Sequence, residues 1–121
     1  MDANADEVMD VTREGYRAYE RGDYDEARRL FQIAADQGNT WAQSWLGFMH
    51  EEGRGVEKSD AEACRWYREA ADQGHAQAQC NLGVMYERGR GVRQDYVKAF
   101  LLFEMAANQG HALAQRRLGS V

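Results

Sequence analysis

Apolar residues recur along this chain at three- and four-residue spacings, and nowhere do they alternate at period two. Within 76–111, Ala78, Leu82, Met85 and Tyr86 mark one face of a helix about three turns long. Gly89 ends that pattern, and Arg-Gly-Arg-Gly-Val makes a turn. A second apolar stripe follows at Ala99, Leu102, Phe103, Ala106 and Ala107. Asp95 stands where a helix N-cap belongs, and Gly110 where a left-handed residue closes a helix. The segment predicts an antiparallel helical hairpin and no sheet.

The hairpin is repeated. Residues 40–75 align with 76–111 without a gap, at a period of 36 and with 16 identical positions. A third copy starts at Ala112 and runs only to Val121, while 30–39 match the end of both repeats and the segment before them is a shorter variant of their beginning. One hairpin cannot bury its apolar face alone, but stacked neighbours can. The expectation is therefore an all-α, right-handed α/α solenoid of about 3.5 antiparallel hairpins. It forms a single repeat domain over 1–121, with units at 8–39, 40–75 and 76–111 and a half-repeat or capping helix at 112–121. Ala63, Ala70 and Ala71, and their equivalents 36 residues on, are small where helices approach. Leu30, Phe31, Trp66, Tyr67, Leu102 and Phe103 fill the space between. Ser59 with Glu62, and Asp23 with Glu26, are spaced as reciprocal capping boxes.

Composition changes this picture in one respect. The 121 residues include twelve glycines and no proline, so glycine does all the punctuation. Gly22, Gly53 and Gly89 end first helices, Gly55 and Gly91 shape the longer turns, and Gly38, Gly74 and Gly110 end second helices. Gly15, Gly47, Gly83 and Gly119 lie inside first helices. An interior glycine costs about 1 kcal/mol there, which a close helix crossing should offset.

Charge excludes more than it identifies. A formal net charge of −5 leaves no positive footprint for nucleic acid, and no apolar run approaches the length of a membrane span. The acidic start, MDANADEVMD, lacks the basic and apolar regions of a signal peptide. The default expectation is a cytoplasmic chain, or an exported one if the N-terminus is trimmed. Arg28-Arg29 and Arg116-Arg117 read as solvated helix faces, the latter pair making part of a capping helix polar.

The motif A-x-A-Q-x-x-L-G-x-M-Y-x-x-G-x-G-V, followed by K-A and A-A-x-Q-G-H, resembles the Sel-one-like repeat (SLR), a branch of the tetratricopeptide superfamily. Ala78, Gln79, Leu82, Gly83, Tyr86, Gly89, Gly91, Val92, Lys98, Ala99, Ala106, Ala107, Gln109 and Gly110 carry it. The 40–75 copy departs at His50, in place of tyrosine, and at Glu62, in place of lysine. The first unit is closer to an ordinary tetratricopeptide repeat. The resemblance implies an adaptor that holds other proteins together. Some relatives carry a cysteine pair eight apart in each repeat; here those positions are Ala71 and Gln79, so that framework is missing.

No assembled chemistry accompanies the fold. Ser44, Ser59 and Ser120 lie in no nucleophile motif, and no second histidine or carboxylate has a metal-ligand spacing to His50. Catalytic residues, metals and cofactors are therefore expected to be none. Asn39, His75 and His111 precede helix starts and read as polar caps. His50 reads as a buried, hydrogen-bonded core residue. Cys64 and Cys80 differ by roughly 7 Å in height along antiparallel helices, which is poor for a disulfide, so two free thiols are expected.

In tetratricopeptide-like stacks the first helices line the concave side. Their inner stripe here reads Met9, Thr12, Tyr16, Tyr19 and Glu20; then Trp41, Ser44, Phe48, Glu51 and Glu52; then Gln77, Cys80, Val84, Glu87 and Arg88; then Leu113 and Arg116. Aromatic groups rimmed by acid predict a protein or peptide partner carrying basic residues, with no nucleic acid and no membrane. The chain is expected to be a monomer. The alternatives are an assembly role through self-association of the solenoid ends, and a hydrolase-like activity, which has been discussed for some relatives.

Overall fold

The computed structural model describes residues 5–119 as seven helices, with no strand among them. They are α1 (Ala5–Glu20), α2 (Tyr24–Asp36), α3 (Thr40–Glu52), α4 (Asp60–Asp72), α5 (Ala76–Arg88), α6 (Tyr96–Ala107) and α7 (Ala112–Gly119). The helices pack pairwise as α1–α2, α3–α4 and α5–α6, and each pair packs on the next. This is an all-α helical-repeat solenoid. Its core runs along the stack, from Val8, Phe31 and Met49 in the first half to Tyr67, Met85 and Phe103 in the second.

The interior glycines show why each hairpin closes. A Cβ on Gly47 would stand 2.6 Å from the Tyr67 ring, and one on Gly83 would stand 2.6 Å from the Phe103 ring. Each glycine lets an aromatic of the second helix lie directly on the backbone of the first. At Gly119, nothing among the described residues lies within 4 Å of the Cβ position.

The capping boxes form by half. Ser59 Oγ accepts the Glu62 amide at 3.1 Å, and Asp23 Oδ1 accepts the Glu26 amide at 3.4 Å. The glutamates do not reciprocate, because the cap amides already donate to His50 O and Ala18 O across the preceding turns. Glu62 and Glu26 instead hold Arg65 and Arg29, one turn on. Asp95 caps α6 as expected, accepting the Lys98 amide at 3.0 Å.

Successive hairpins are joined by contacts that recur at the same period. Gln43, Gln79 and Gln115 each donate a carboxamide hydrogen at 3.2 Å to the carbonyl of Ala35, Ala71 or Ala107, near the end of the preceding helix. Gln73 and Gln109 donate in turn to the side-chain oxygens of Gln43 and Gln79, both at 2.9 Å. Gln43 and Gln79 are buried, so each carboxamide is satisfied from both sides. The turn glycines Gly55 and Gly91 press on the backbone at Tyr24 and Asp60, leaving no room for a side chain.

Candidate interaction surface

The face built by α1, α3 and α5 carries a continuous group of aromatic rings. Trp45 lies at its centre, with ring centroids 5.5 Å from Tyr16, 4.9 Å from Tyr19 and 5.8 Å from Phe48. Phe31 stacks on it nearly parallel at 5.6 Å, anchoring the surface to the core. Beside this group opens a cavity of about 440 Å³, lined by Trp41, Ser44, Trp45, Phe48, Glu51, Tyr67, Gln77 and Asn81. Trp41 is 54% exposed and Tyr16 44%, while Phe48 and Tyr19 are half-buried.

The structure thus brings Trp41, Ser44, Phe48, Glu51 and Gln77 to one cavity, with Tyr16 and Tyr19 on its aromatic flank. Ser44 is buried, at the floor, and Cys80 and Thr12 of the same stripe are buried as well. Val84 and Glu87 are half-buried and Arg88 exposed, none of them lining the cavity. Leu113 and Arg116 are exposed on α7 and do not line it either. Glu52, Glu20 and Met9 are exposed.

The acid rim is more occupied than its sequence suggests. Glu51 accepts the Tyr67 hydroxyl at 2.8 Å and Arg90 Nη1 at 3.2 Å. Arg90 also reaches Asp60 at 3.2 Å. Burial alone would raise the Asp60 pKa, but hydrogen bonding and charge from Arg90, with Lys58, hold it below the ordinary carboxylate range. Burial, reinforced by Glu51, pushes the Tyr67 phenol far up, so it stays a donor. Glu87 is paired with Arg117 Nη1 at 2.9 Å. Arg117 is therefore turned inward and half-buried rather than forming part of a solvated outer face; Arg116 alone is exposed there.

The three cap positions diverge. Asn39 Oδ1 accepts the Ala42 amide at 2.9 Å and His111 Nδ1 the Ala114 amide at 3.3 Å, as caps should. His75 makes no cap bond. Its ring instead meets Trp41 edge to face at 4.5 Å, with Nδ1 3.4 Å from Thr40 Oγ1, and its Nε2 is buried with no partner. Burial, then the proximity of His111, lowers its pKa. His50 is half-buried rather than in the core, with Nδ1 3.3 Å from Glu57 O. Both cysteines are free and buried; the Cys64 thiol donates to Arg90 O at 3.2 Å, and burial pushes its pKa up to about 11. Ser120 lies outside the described residues.

Sequence reasoning missed Trp45 and the outer face of α6. Trp45 sits four residues after Trp41 and three before Phe48, a spacing that shares their face. On α6, Tyr96, Val97, Phe100, Leu101 and Met105 are all exposed. The equivalent positions of α4 are Asp60, Ala61, Cys64, Arg65 and Glu69. A column-by-column comparison of the two second helices carries that signal.

The Sel1 repeat family profile matches residues 14–39, 42–75 and 76–111. The chain belongs to the Sel1-repeat family. Sel1-repeat proteins typically serve as scaffolds for protein–protein interaction. Among solved structures, c5321, a protective antigen present in uropathogenic Escherichia coli strains, displays an SLR fold; it is 42% identical over 91% of this chain, with a TM-score of 0.83. A Sel1 repeat protein from Oxalobacter formigenes is 37% identical over 90% of this chain, with a TM-score of 0.87. This chain spans 24% and 45% of the length of those two proteins. Helicobacter pylori cysteine rich protein B shares the fold, with a TM-score of 0.74 at 19% identity over 93% of this chain and 95% of its own. No curated protein matches the sequence. Among the described residues of this Sel1-repeat chain, no helix is long and apolar enough to cross a membrane.

Proposed function

We propose that this Sel1-repeat chain is a non-enzymatic interaction module that holds a partner peptide or protein on the face of its first helices. The observation that supports this reading is the cavity at α3–α5, where Trp41 stands exposed beside Trp45 and Phe48. Exposed tryptophan and tyrosine next to a hollow are the usual anchors of an interface. Stacking fixes the rings before any partner arrives, so binding spends little entropy on ordering them. A pull-down comparing wild type with Trp41→Ala tests the reading. The variant should keep its helical circular dichroism and lose its partners. Partners retained in full would sink it.

A second reading, assembly through the C-terminal end, draws on the exposed apolar face of α6. Sedimentation velocity separates it from the first. Self-association abolished by Leu101→Glu, with Trp41→Ala unaffected, would favour assembly.

A further inference from the structure

We infer that the α3–α5 cavity receives the side chain of a lysine from the partner polypeptide, its ammonium held between aromatic rings and the Glu51 carboxylate. This rests on the proposed interaction role and names the chemistry that the site would select. Four of the residues around the cavity are aromatic: Trp41, Trp45, Phe48 and Tyr67. Glu51 is the one charged group among the eight that line it, and no lysine or arginine does. Glu51 also serves the tie to Arg90, and its half-buried carboxylate among rings is suited to a cation.

Glu51 already pairs with Arg90, and Lys58 pairs with Asp60 at 3.5 Å; what Glu51 offers a partner N–H is the second lone pair of each carboxylate oxygen. Arg90 divides its guanidinium between Glu51, through Nη1, and Asp60, through Nη2, each at 3.2 Å. The Tyr67 hydroxyl spends its hydrogen on Glu51, which leaves the phenol oxygen as an acceptor towards an incoming N–H. Shape favours lysine over arginine: a compact ammonium on a flexible stem enters a cavity of about 440 Å³ end-on, whereas a planar guanidinium needs a ring face to stack on. A lysine stem of four methylenes also covers apolar ring surface on its way in.

The test uses the whole chain and two peptides, acetyl-Ala-Ala-Lys-Ala-Ala-amide and its counterpart with norleucine in place of lysine. Binding is read from the indole N–H resonances of Trp41 and Trp45. The lysine peptide should shift both saturably, and at least fivefold more tightly than the norleucine peptide. Glu51→Gln keeps the acceptor for Tyr67 and should remove that preference, as should about 0.5 M salt in part. Trp41→Ala, on an exposed ring, should weaken the lysine peptide without unfolding. Equal binding of both peptides would overturn the lysine assignment while leaving a partner-binding cavity intact. Absence of any saturable shift would overturn it too, and the pull-down would then judge the interaction role separately. A preference for lysine that survives Glu51→Gln would place the cation elsewhere and also overturn it.

Discussion

Gly47→Ala puts two opposing effects in one helix, and the structure says which prevails. Gly47 lies inside α3, where alanine gains about 1 kcal/mol of helix propensity. Its new Cβ would meet Tyr67 Cδ1 and Cε1 at 2.6 Å and the Ala63 carbonyl oxygen at 3.2 Å. Carbon atoms prefer about 3.5–4.0 Å, so the ring or the helix must retreat by about 1 Å. The ring has nowhere to go, because Tyr67 is 1% exposed and its hydroxyl is held by Glu51 at 2.8 Å. Overpacking of a core costs about 1–3 kcal/mol, and a pinned ring against backbone belongs at the upper end. The net expectation is a loss of about 1–2 kcal/mol, or about 4–8 °C in Tm for a chain of this length. Urea and thermal unfolding followed by far-ultraviolet circular dichroism measure it. Gly119→Ala is the control of opposite sign: with nothing among the described residues within 4 Å, it should be neutral or stabilising. Tyr67→Leu should cost less in the Gly47→Ala background than in wild type, since it removes the clash. A Gly47→Ala protein as stable as wild type would refute the close crossing as the reason for glycine.

The remaining predictions concern single contacts. Gln79→Ala should cost about 1–3 kcal/mol in urea unfolding, because it removes a buried carboxamide that ties Ala71 O to Gln109; a change below about 0.5 kcal/mol would discount the glutamine ties. Ser59→Ala should cost about 1 kcal/mol as a lost cap, and Glu62→Ala less, since Glu62 serves an exposed pair with Arg65; comparable losses would restore the reciprocal box. His75 has a pKa below its ordinary 6.5, so the unfolded chain binds the proton more readily and stability falls as pH drops through that value. His75→Gln should flatten the stability profile between about pH 7 and 5, and an unchanged slope would remove His75 as its source. Both thiols should resist a thiol reagent in the native protein and titrate as two free groups in denaturant; fewer than two would contradict the free, buried pair.

The helices and their order were legible because the hydrophobic period, the glycines and the caps all repeat with the 36-residue unit, and each copy checks the other. The glutamine ties were equally visible as Gln43, Gln79 and Gln115, yet their role was not. A carboxamide's partner is set by which carbonyl the next hairpin brings near, which is a property of the joint. His75 shows the same limit from the other side. It aligns with His111, but the ring beside it is Trp41, where the next repeat has Gln77. Next to an indole the imidazole turns to the ring contact, and beside Gln77 the equivalent His111 binds the carboxamide oxygen at 3.0 Å and caps α7. Local sequence identity cannot distinguish two such positions. Arg117 is the clearest case of tertiary context overriding a reading by adjacency, since its partner Glu87 lies 30 residues away.

The joints also decide the shape of the interaction surface. Tyr19, Glu51 and Glu87 are equivalent positions of successive first helices, counted from Gly15, Gly47 and Gly83. Each receives an arginine from the unit that follows: Arg54 donates to the Tyr19 hydroxyl at 2.8 Å, Arg90 to Glu51, and Arg117 to Glu87. Arg54 and Arg90 come from equivalent turns, while Arg117 comes from α7. One tie therefore tolerates an uncharged phenol in place of a carboxylate. That freedom places Tyr19 against Trp45 and Phe48, where it extends the aromatic surface. At Glu51 the same position keeps a carboxylate, and the cavity gains its one charge. One repeat position thus supplies a stacking ring in the first hairpin and the cavity's carboxylate in the second, so the register of the repeats sets which chemistry this face presents.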